Sequence, residues 1–451
     1  MGTSSILDGN RFDTESLGAL APAARALVER RINTLGTSYR LFYRNPVQAV
    51  RGLGTRLYDA EGREYLDAYN NVASVGHCNP AVVEAVTKQL STLATHSRYL
   101  QDGIVEYSER LLQTLPESLN RVMYTNSGSE ANDLALRVAR HYTGGTGIVV
   151  TSEAYHGTTA SCAEVSPSDG SGGLPAHVIA VDPPNSYRHE ENSSVAEAFA
   201  ARVTRAFETL RERGHEPAAL LVDSIFSSDG VFPVDGALQA AFAAARAFGA
   251  LVIADEVQPG FARVGTSFWG FARDNAVPDL VTLGKPMGNG VPVAGMVANT
   301  EILDAFGRDV PYFNTFGGSS VPVAAAAAVL REIRERRLFE NADSIGAIVR
   351  AGLEELASDF PQVGDIRSAG LYFGVELVAD PETREPGTAF AADLINACRE
   401  GGLLISVCGP TSSTLKIRPM LTYTVADAEL LVERLGAALN VATRLAKAGV
   451  A

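Results

Sequence analysis

One lysine of this chain stands where a reactive amine would be expected. Lys285 follows the apolar run 280–283 within PDLVTLGKPMGNGVPVAG, residues 278–295, and has glycines on both sides. The apolar run predicts a buried strand, so Lys285 lies at a strand end. Partial burial disfavours the ammonium form, and a free amine can attack an aldehyde to form a Schiff base. A surface lysine that simply ends a strand is the alternative.

A carboxylate stands at a second strand end of the same kind. In LVIADEVQPGF, residues 251–261, an apolar run is followed by Asp255 and Glu256. Pyridoxal phosphate requires such a lysine and carboxylate together, because the lysine holds the cofactor while the carboxylate keeps its ring nitrogen protonated. A helix cap or a surface pair would look the same in isolation.

Two further segments fit the phosphate and the ring of that cofactor. The stretch 127–129, Ser-Gly-Ser, precedes a helix predicted over residues 132–142, and helix N-termini bind phosphate. In SEAYHG, Tyr155 and His156 follow a strand predicted over residues 148–151, and a tyrosine there can stack on a flat ring. An ordinary serine cap and a packing tyrosine are the alternatives.

Together these four segments resemble the class III aminotransferases of fold type I, and the resemblance runs over nearly the whole chain. It implies that Lys285 is the Schiff-base lysine, Asp255 the partner of the pyridine nitrogen and Gln258 the partner of the ring hydroxyl. The other cofactor contacts that it implies are Gly128 and Ser129 at the phosphate, Tyr155 on the ring, His156 and Asp223 beside it, and Thr315 from a neighbouring subunit.

Within that family, three stretches are most similar to alanine-glyoxylate aminotransferase 2 and ethanolamine-phosphate phospho-lyase. They are YNNVASVGHCNP, SRYLQDGIVEYSERLL and GKPMGNG. Ser228 occupies the place where many relatives have a glutamate that holds a gating arginine, so we expect that gate to be absent.

A second departure concerns the substrate. Lys416 stands where many relatives have an arginine that grips an α-carboxylate, and Arg418 shares its strand face. Because lysine lacks the bidentate fork of arginine, we expect a terminal or phosphorylated amine as donor. Two charges that merely solvate a strand end are the alternative.

Composition limits the classes of partner. The chain has 451 residues, 46% hydrophobic and 20% charged, with a formal charge of −14. That charge, without a basic block, disfavours nucleic acid and anionic membranes as partners. The four cysteines have no paired spacing, and no apolar run approaches the ~20 residues that span a bilayer, so we expect a cytoplasmic protein.

Alternating helix and strand patterns from 81 to 294 predict an α/β fold with a mainly parallel sheet. The family implies seven strands in it and a small α+β domain built from both termini. We expect an N-terminal segment 1–75, with a loose tail to about residue 12, a helix at 22–34 and a hairpin at 54–71. A large cofactor-binding domain at 76–320 and a C-terminal small domain at 321–451 follow.

The sequence therefore predicts a transaminase that moves an amino group from an amine to a keto acid, such as pyruvate, glyoxylate or 2-oxoglutarate, by a ping-pong mechanism. The family implies a homodimer or a tetramer. A phospho-lyase that expels phosphate from a phosphorylated amine is the second hypothesis. A non-catalytic cofactor-binding regulator is the third, although no attached nucleic-acid-binding module is evident.

Overall fold

The computed structural model describes residues 5, 8–170, 173–189 and 193–448. The strands, in chain order, are β1 Ala49–Leu53, β2 Arg56–Asp59, β3 Glu64–Asp67, β4 Arg121–Thr125, β5 Gly147–Thr151, β6 Val178–Val181, β7 Pro217–Asp223, β8 Leu251–Asp255, β9 Leu280–Leu283, β10 Ala294–Ala298, β11 Val363–Ala369, β12 Tyr372–Asp380, β13 Glu385–Pro386, β14 Leu403–Leu404, β15 Ser406–Cys408 and β16 Thr414–Ile417.

The α-helices connect these strands and cover their faces. They are α1 Pro22–Leu35, α2 Pro80–Thr92, α3 Asp102–Leu112, α4 Gly128–Thr143, α5 Ala160–Ala163, α6 Val195–Glu212, α7 Ala237–Ala247, α8 Thr300–Asp309, α9 Ser320–Glu335, α10 Leu338–Asp359, α11 Thr388–Glu400 and α12 Val425–Lys447. No helix among the described residues is long and apolar enough to cross a membrane.

A seven-stranded sheet forms the centre of the molecule, in the order β4-β10-β9-β8-β7-β5-β6. Strand β10 is the antiparallel strand of this sheet, because it pairs antiparallel with both β4 and β9. Every residue of β5, β8 and β9 is buried, as expected for strands covered on both faces. The predicted α/β fold with a mainly parallel sheet is confirmed. The carboxyl ends of β7, β8 and β9 lie together at one edge, where ligands of open sheets collect.

Two smaller sheets flank this centre. The predicted hairpin is present as β2 and β3, which pair antiparallel, and β1 extends it. Its other edge pairs with β14, so the chain's two ends meet in one sheet. The third sheet has the order β11-β12-β16-β15, and Lys416 of β16 lines one cavity together with Lys285. β14 and β15 are separated by Ile405, because β14 pairs with β3 and β15 pairs with β16.

The expectation of a loose tail up to about residue 12 is wrong for residues 10–12; residues 1–4 and 6–7 lie outside the described part. Asn10 and Phe12 are buried. The Phe12 amide donates to the Leu41 carbonyl at 2.8 Å, and the Tyr43 amide donates to the Asn10 carbonyl at 3.0 Å. These bonds join segments about 30 residues apart in the chain, so a local composition rich in Gly, Ser and Thr could not reveal them.

Candidate active site

Two adjoining cavities open at the carboxyl edge of the central sheet. The smaller, of about 430 Å³, is bordered by the start of α4 and the ends of β7 and β8. The larger, of about 590 Å³, extends to the N-terminal segment and to β16. Tyr155, Gln258 and Lys285 border both cavities. Lys285, a possible nucleophile, therefore lies where the smaller cavity meets the larger one.

Lys285 directly follows β9 and borders both cavities, through which its side chain is accessible to solvent. Its backbone has a positive φ of 25°, a strained value for a residue with a side chain. The burial of the surrounding site lowers the pKa of Lys285 to about 8; Arg418 and Lys416 lower it further, and Asp255 opposes them. A substantial fraction of free amine near neutral pH is the chemical consequence.

Asp255 ends β8 and is buried. Its Oδ2 accepts from His156 Nδ1 at 2.7 Å and from Asn132 Nδ2 at 2.8 Å, while Oδ1 accepts from the Val257 amide at 3.0 Å. Burial alone raises the pKa of Asp255, but the His156 and Val257 hydrogen bonds and the His156 and Lys285 charges outweigh it, so the pKa lies below its ordinary value. The carboxylate is thus ionised and oriented at neutral pH.

The start of α4 forms the opposite end of the smaller cavity. Ser127 caps the helix by accepting from the Glu130 amide at 3.2 Å, and Gly128 and Ser129 line the cavity. A Cβ on Gly128 would lie 3.0 Å from the Val257 side chain, so the close approach favours glycine. Ser129 Oγ accepts from the Thr158 amide at 3.1 Å. Amides at a helix start next to a cavity provide a site for an anion.

The side-chain oxygen of Gln258 already accepts two hydrogen bonds. Oε1 accepts from the Tyr372 hydroxyl at 3.0 Å and from Arg418 Nη1 at 2.9 Å. The amide nitrogen is therefore the group that Gln258 offers to the cavities. Arg418 in turn lies 4.2 Å from the centre of the Tyr69 ring, so the guanidinium is held from two directions.

Lys416 and Arg418 are buried cations that border the larger cavity, with 4% and 5% of their surfaces exposed. Within the described residues neither side chain forms an ion pair, the Lys416 side chain forms no hydrogen bond, and the Nε of Arg418 has no partner. Burial lowers the pKa of Lys416, and the charge of Arg418 adds to the effect. Two cations without a carboxylate partner are costly unless an anion joins them.

The other predicted site residues differ in which cavity they border. Asp223 borders the smaller cavity, but Ser227 Oγ and the Ile225 amide already bond its carboxylate. Ser228, at the expected gate position, borders the larger cavity. Thr315 borders neither; it is exposed in a separate apolar pocket that shares Asn126 and Pro292 with the smaller cavity.

Sequence reasoning did not identify two supporting residues. Asn132 bonds Asp255 and the His156 carbonyl, and its own oxygen accepts from Thr282 at 2.6 Å. Tyr372 orients Gln258. A usable signal existed for the cationic pocket, because the chain has only four lysines, Lys88, Lys285, Lys416 and Lys447, and two of them border one cavity.

Comparison with known proteins agrees with this geometry. The family model described as aminotransferase class-III matches residues 42–439. A protein of Caenorhabditis elegans named ethanolamine-phosphate phospho-lyase homolog 1 is 34% identical over 446 residues, covering 93% of this chain and 95% of the relative. A protein of Arabidopsis thaliana named alanine-glyoxylate aminotransferase 2 homolog 2, mitochondrial, is 37% identical, covering 91% and 87%.

Among solved structures, a phospholyase from Arthrobacter in complex with phosphoethanolamine superposes with a TM-score of 0.89. It is 42% identical and covers 92% of this chain and 99% of that one. A transaminase from the marine bacterium Virgibacillus superposes with a TM-score of 0.81 at 26% identity, covering 88% and 94%. Relatives of both reaction types therefore share the fold.

Proposed function

The chain belongs to the class III aminotransferases, which are pyridoxal-phosphate enzymes, and on this premise we propose that it removes the amino group of a small primary amine whose far end carries an anion. In the leading form of the proposal, a keto acid such as pyruvate, glyoxylate or 2-oxoglutarate receives that amino group in a ping-pong reaction. The two buried cations that line a cavity with Lys285, and that form no ion pair among the described residues, carry the proposal.

The residues of the smaller cavity fit the cofactor. The amides at the start of α4 suit a phosphate, and the bare Cα of Gly128 leaves room for its close approach. His156 Nε2 is buried with no hydrogen-bond partner in the described part of the chain, so a polar group is missing beside Asp255. We propose that Gly128 and Ser129 hold the phosphate, Tyr155 stacks on the ring, and His156 and Asp223 border it.

When bound, pyridoxal phosphate supplies an electron sink that allows a proton to leave the carbon bearing the amine. Lys285 attaches the cofactor and, once the substrate amine has displaced it, takes that proton and returns one as general acid and base. Asp255, ionised at neutral pH, would keep the ring nitrogen protonated, and the Gln258 amide nitrogen, left free because Oε1 accepts from Arg418, would donate to the ring hydroxyl. These roles use the protonation states that the site favours.

Lys416 and Arg418 give the substrate its orientation. An anion at the far end of the amine would pair with both cations, while the amine points towards Lys285 in the same cavity. Lysine provides a point charge rather than a fork, which suits a terminal carboxylate or a phosphate as well as an α-carboxylate. This argument favours amines with a distal anion over neutral amines.

An amine screen tests the proposal. Amines of equal length with a carboxylate, a phosphate or no charge at the far end are offered with each of the three keto acids, and the new amino acid is measured. We expect the anionic amines to give the highest kcat/KM. A preference for neutral amines would exclude the proposed pocket.

A phospho-lyase is the second candidate, and the same two cations favour it, because a phosphate is the dianion that such a pocket binds best. The 42% identity to a phospholyase that was solved with phosphoethanolamine supports it further. Here Lys285 takes the same proton, and the C–O bond to phosphate breaks at the neighbouring carbon. Release of phosphate from phosphoethanolamine without any keto acid would select this reaction over transamination.

Three broader features also remain proposals. We propose a homodimer in which Thr315 reaches the partner subunit's cofactor phosphate; its exposure in an apolar pocket next to the smaller cavity supports this. We propose the division 1–75, 76–320 and 321–451, supported by the pairing of β14 with β3. We also propose a cytoplasmic location, which the absence of paired cysteine spacing supports, although an Arabidopsis relative is named as mitochondrial.

A further inference from the structure

One asparagine side chain lies between the ends of two neighbouring strands of the central sheet. Asp255 of β8 and Thr282 of β9 are directly registered partners, so their side chains point to the same face of the sheet. Helix α4 packs against both strands and contributes Asn132, which is 1% exposed. The amide of Asn132 therefore reaches both strand ends at once.

The partners of this amide fit one orientation of the side chain. Asn132 Nδ2 donates to Asp255 Oδ2 and to the His156 carbonyl, both at 2.8 Å. Asn132 Oδ1 accepts from the Thr282 hydroxyl at 2.6 Å. If the amide turned by 180°, its oxygen would face a carboxylate and a carbonyl, and neither of these groups can donate a hydrogen bond. The threonine donor and the two acceptors thus hold the amide nitrogen on Asp255.

Thr282 is the polar residue of an otherwise apolar strand. Its neighbours in β9 are Leu280, Val281 and Leu283, and all four residues are buried. Among the described residues that border the two cavities, Thr282 is absent, so its hydroxyl does not meet a ligand directly. A buried hydroxyl is costly unless it forms a hydrogen bond, and the bond to Asn132 compensates that cost.

The bond also bears on the charge of Asp255. Hydrogen bonds donated to the ionised form of a carboxyl group favour that form. Asn132 donates to the same Oδ2 atom as His156 Nδ1, and it does so without adding a charge. A donor that is itself fixed restricts the rotation of the carboxylate as well. Thr282 therefore acts on Asp255 from the far side of the asparagine.

We propose that Thr282 is a positioning residue of the reaction and acts through Asn132 on the carboxylate of Asp255. Its hydroxyl holds the asparagine oxygen, so the asparagine nitrogen stays on Asp255 and keeps the carboxylate ionised and oriented towards the cofactor. The inference rests on the proposed function in one respect, namely that Asp255 pairs with the ring nitrogen of pyridoxal phosphate. It does not depend on the identity of the amine donor.

The test measures the binding of two cofactors to the apoprotein by equilibrium dialysis. One is pyridoxal phosphate, and the other is its analogue with CH in place of the ring nitrogen, which offers Asp255 nothing to pair with. Thr282→Val keeps the shape of the side chain and removes the hydroxyl. We expect the Kd of pyridoxal phosphate to rise about tenfold, as for the loss of one buried hydrogen bond, and that of the analogue less than about twofold. Thr282→Ser retains the hydroxyl and should restore both values.

Two further variants locate the effect. Thr300→Val is the matched control, because the Thr300 hydroxyl also donates to an asparagine oxygen, that of Asn120 at 2.8 Å, but at the start of α8. It should change neither Kd. In an Asn132→Ala background, Thr282→Val should no longer alter the ratio of the two Kd values, because its effect passes through the amide.

The outcomes separate this role from a purely structural one. An equal rise of both Kd values in Thr282→Val, or no rise in either, overturns the role of Thr282. Thr282→Ala, with the same expected change of ratio, keeps the test decisive if Thr282→Val does not fold. If the unaltered protein binds the two cofactors equally well, the proposed pairing of Asp255 with the ring nitrogen fails instead.

Discussion

Replacing Lys416 with methionine separates binding from stability. Methionine keeps most of the length and volume of the side chain but removes the charge. A hydrogen bond to a charged group contributes about 1.5–3 kcal/mol, and 1.4 kcal/mol corresponds to a factor of ten. We therefore expect kcat/KM for anionic amines to fall by about 10- to 100-fold, with a smaller loss for neutral amines.

Stability should move the other way. Lys416 is buried and forms no ion pair with the part of the chain that the structure describes, and its pKa in the folded protein lies below the ordinary 10.5, mainly because of burial. The unfolded chain binds the proton more tightly, so the charged lysine disfavours folding below its folded pKa. That penalty disappears as the pH rises through 10.5. Lys416→Met should thus raise the free energy of unfolding at neutral pH, and the gain should vanish in strong base.

The test has two parts, both at saturating cofactor because bound cofactor itself stabilises the fold. Urea unfolding at pH 7 and at pH 10.5 gives the free energy of unfolding, and steady-state kinetics give kcat/KM. Lys447→Met is the control, since Lys447 is exposed at the end of α12. Destabilisation of Lys416→Met at neutral pH would mean that the lysine has an anionic partner within the protein. Unchanged kinetics with anionic amines would refute the binding argument.

The remaining predictions concern the cofactor site. Lys285→Ala should abolish turnover and the visible absorbance of lysine-attached cofactor, while the circular dichroism of the protein stays unchanged. A variant that keeps its turnover and this absorbance would exclude Lys285 as the attachment residue. In the unaltered apoprotein, the rate of cofactor attachment followed by stopped flow should rise with pH through about 8, because the free amine is the nucleophile and the pKa of Lys285 is lowered to about 8 by burial; a midpoint near 10.5 would contradict this. Asp255→Asn should slow turnover by several orders of magnitude while cofactor still binds in equilibrium dialysis, because a neutral amide cannot keep the ring nitrogen protonated; a rate within about tenfold of the parent would assign that role to another group. Thr315→Ala should weaken cofactor affinity and, by linkage, the dimer measured by sedimentation at falling protein concentration; a monomer with full cofactor affinity would argue against the shared site.

Local sequence was sufficient to predict an element where a hydrophobic pattern ended at a turn signal. Strand β9 is observed at the predicted bounds 280–283, because its short apolar run lies between turn signals. Helix α4 was predicted too late, at residue 132, because its first turn is polar; the cap at Ser127 marks the true start.

The sequence by itself indicated the class of chemistry. A strand-end lysine, a strand-end carboxylate and a serine-glycine helix start are local patterns, and few protein functions need all three. Tertiary structure decided what surrounds them. The orientation of Asp255 comes from His156 and Asn132, which are 99 and 123 residues away in the chain. Likewise Asn10 borders the same cavity as Lys416 only because residues 10–12 form backbone hydrogen bonds with Leu41 and Tyr43. Contacts between distant segments leave no periodic signal in a single sequence, so only the folded chain reveals that Lys416 and Arg418 form no ion pair with any described residue.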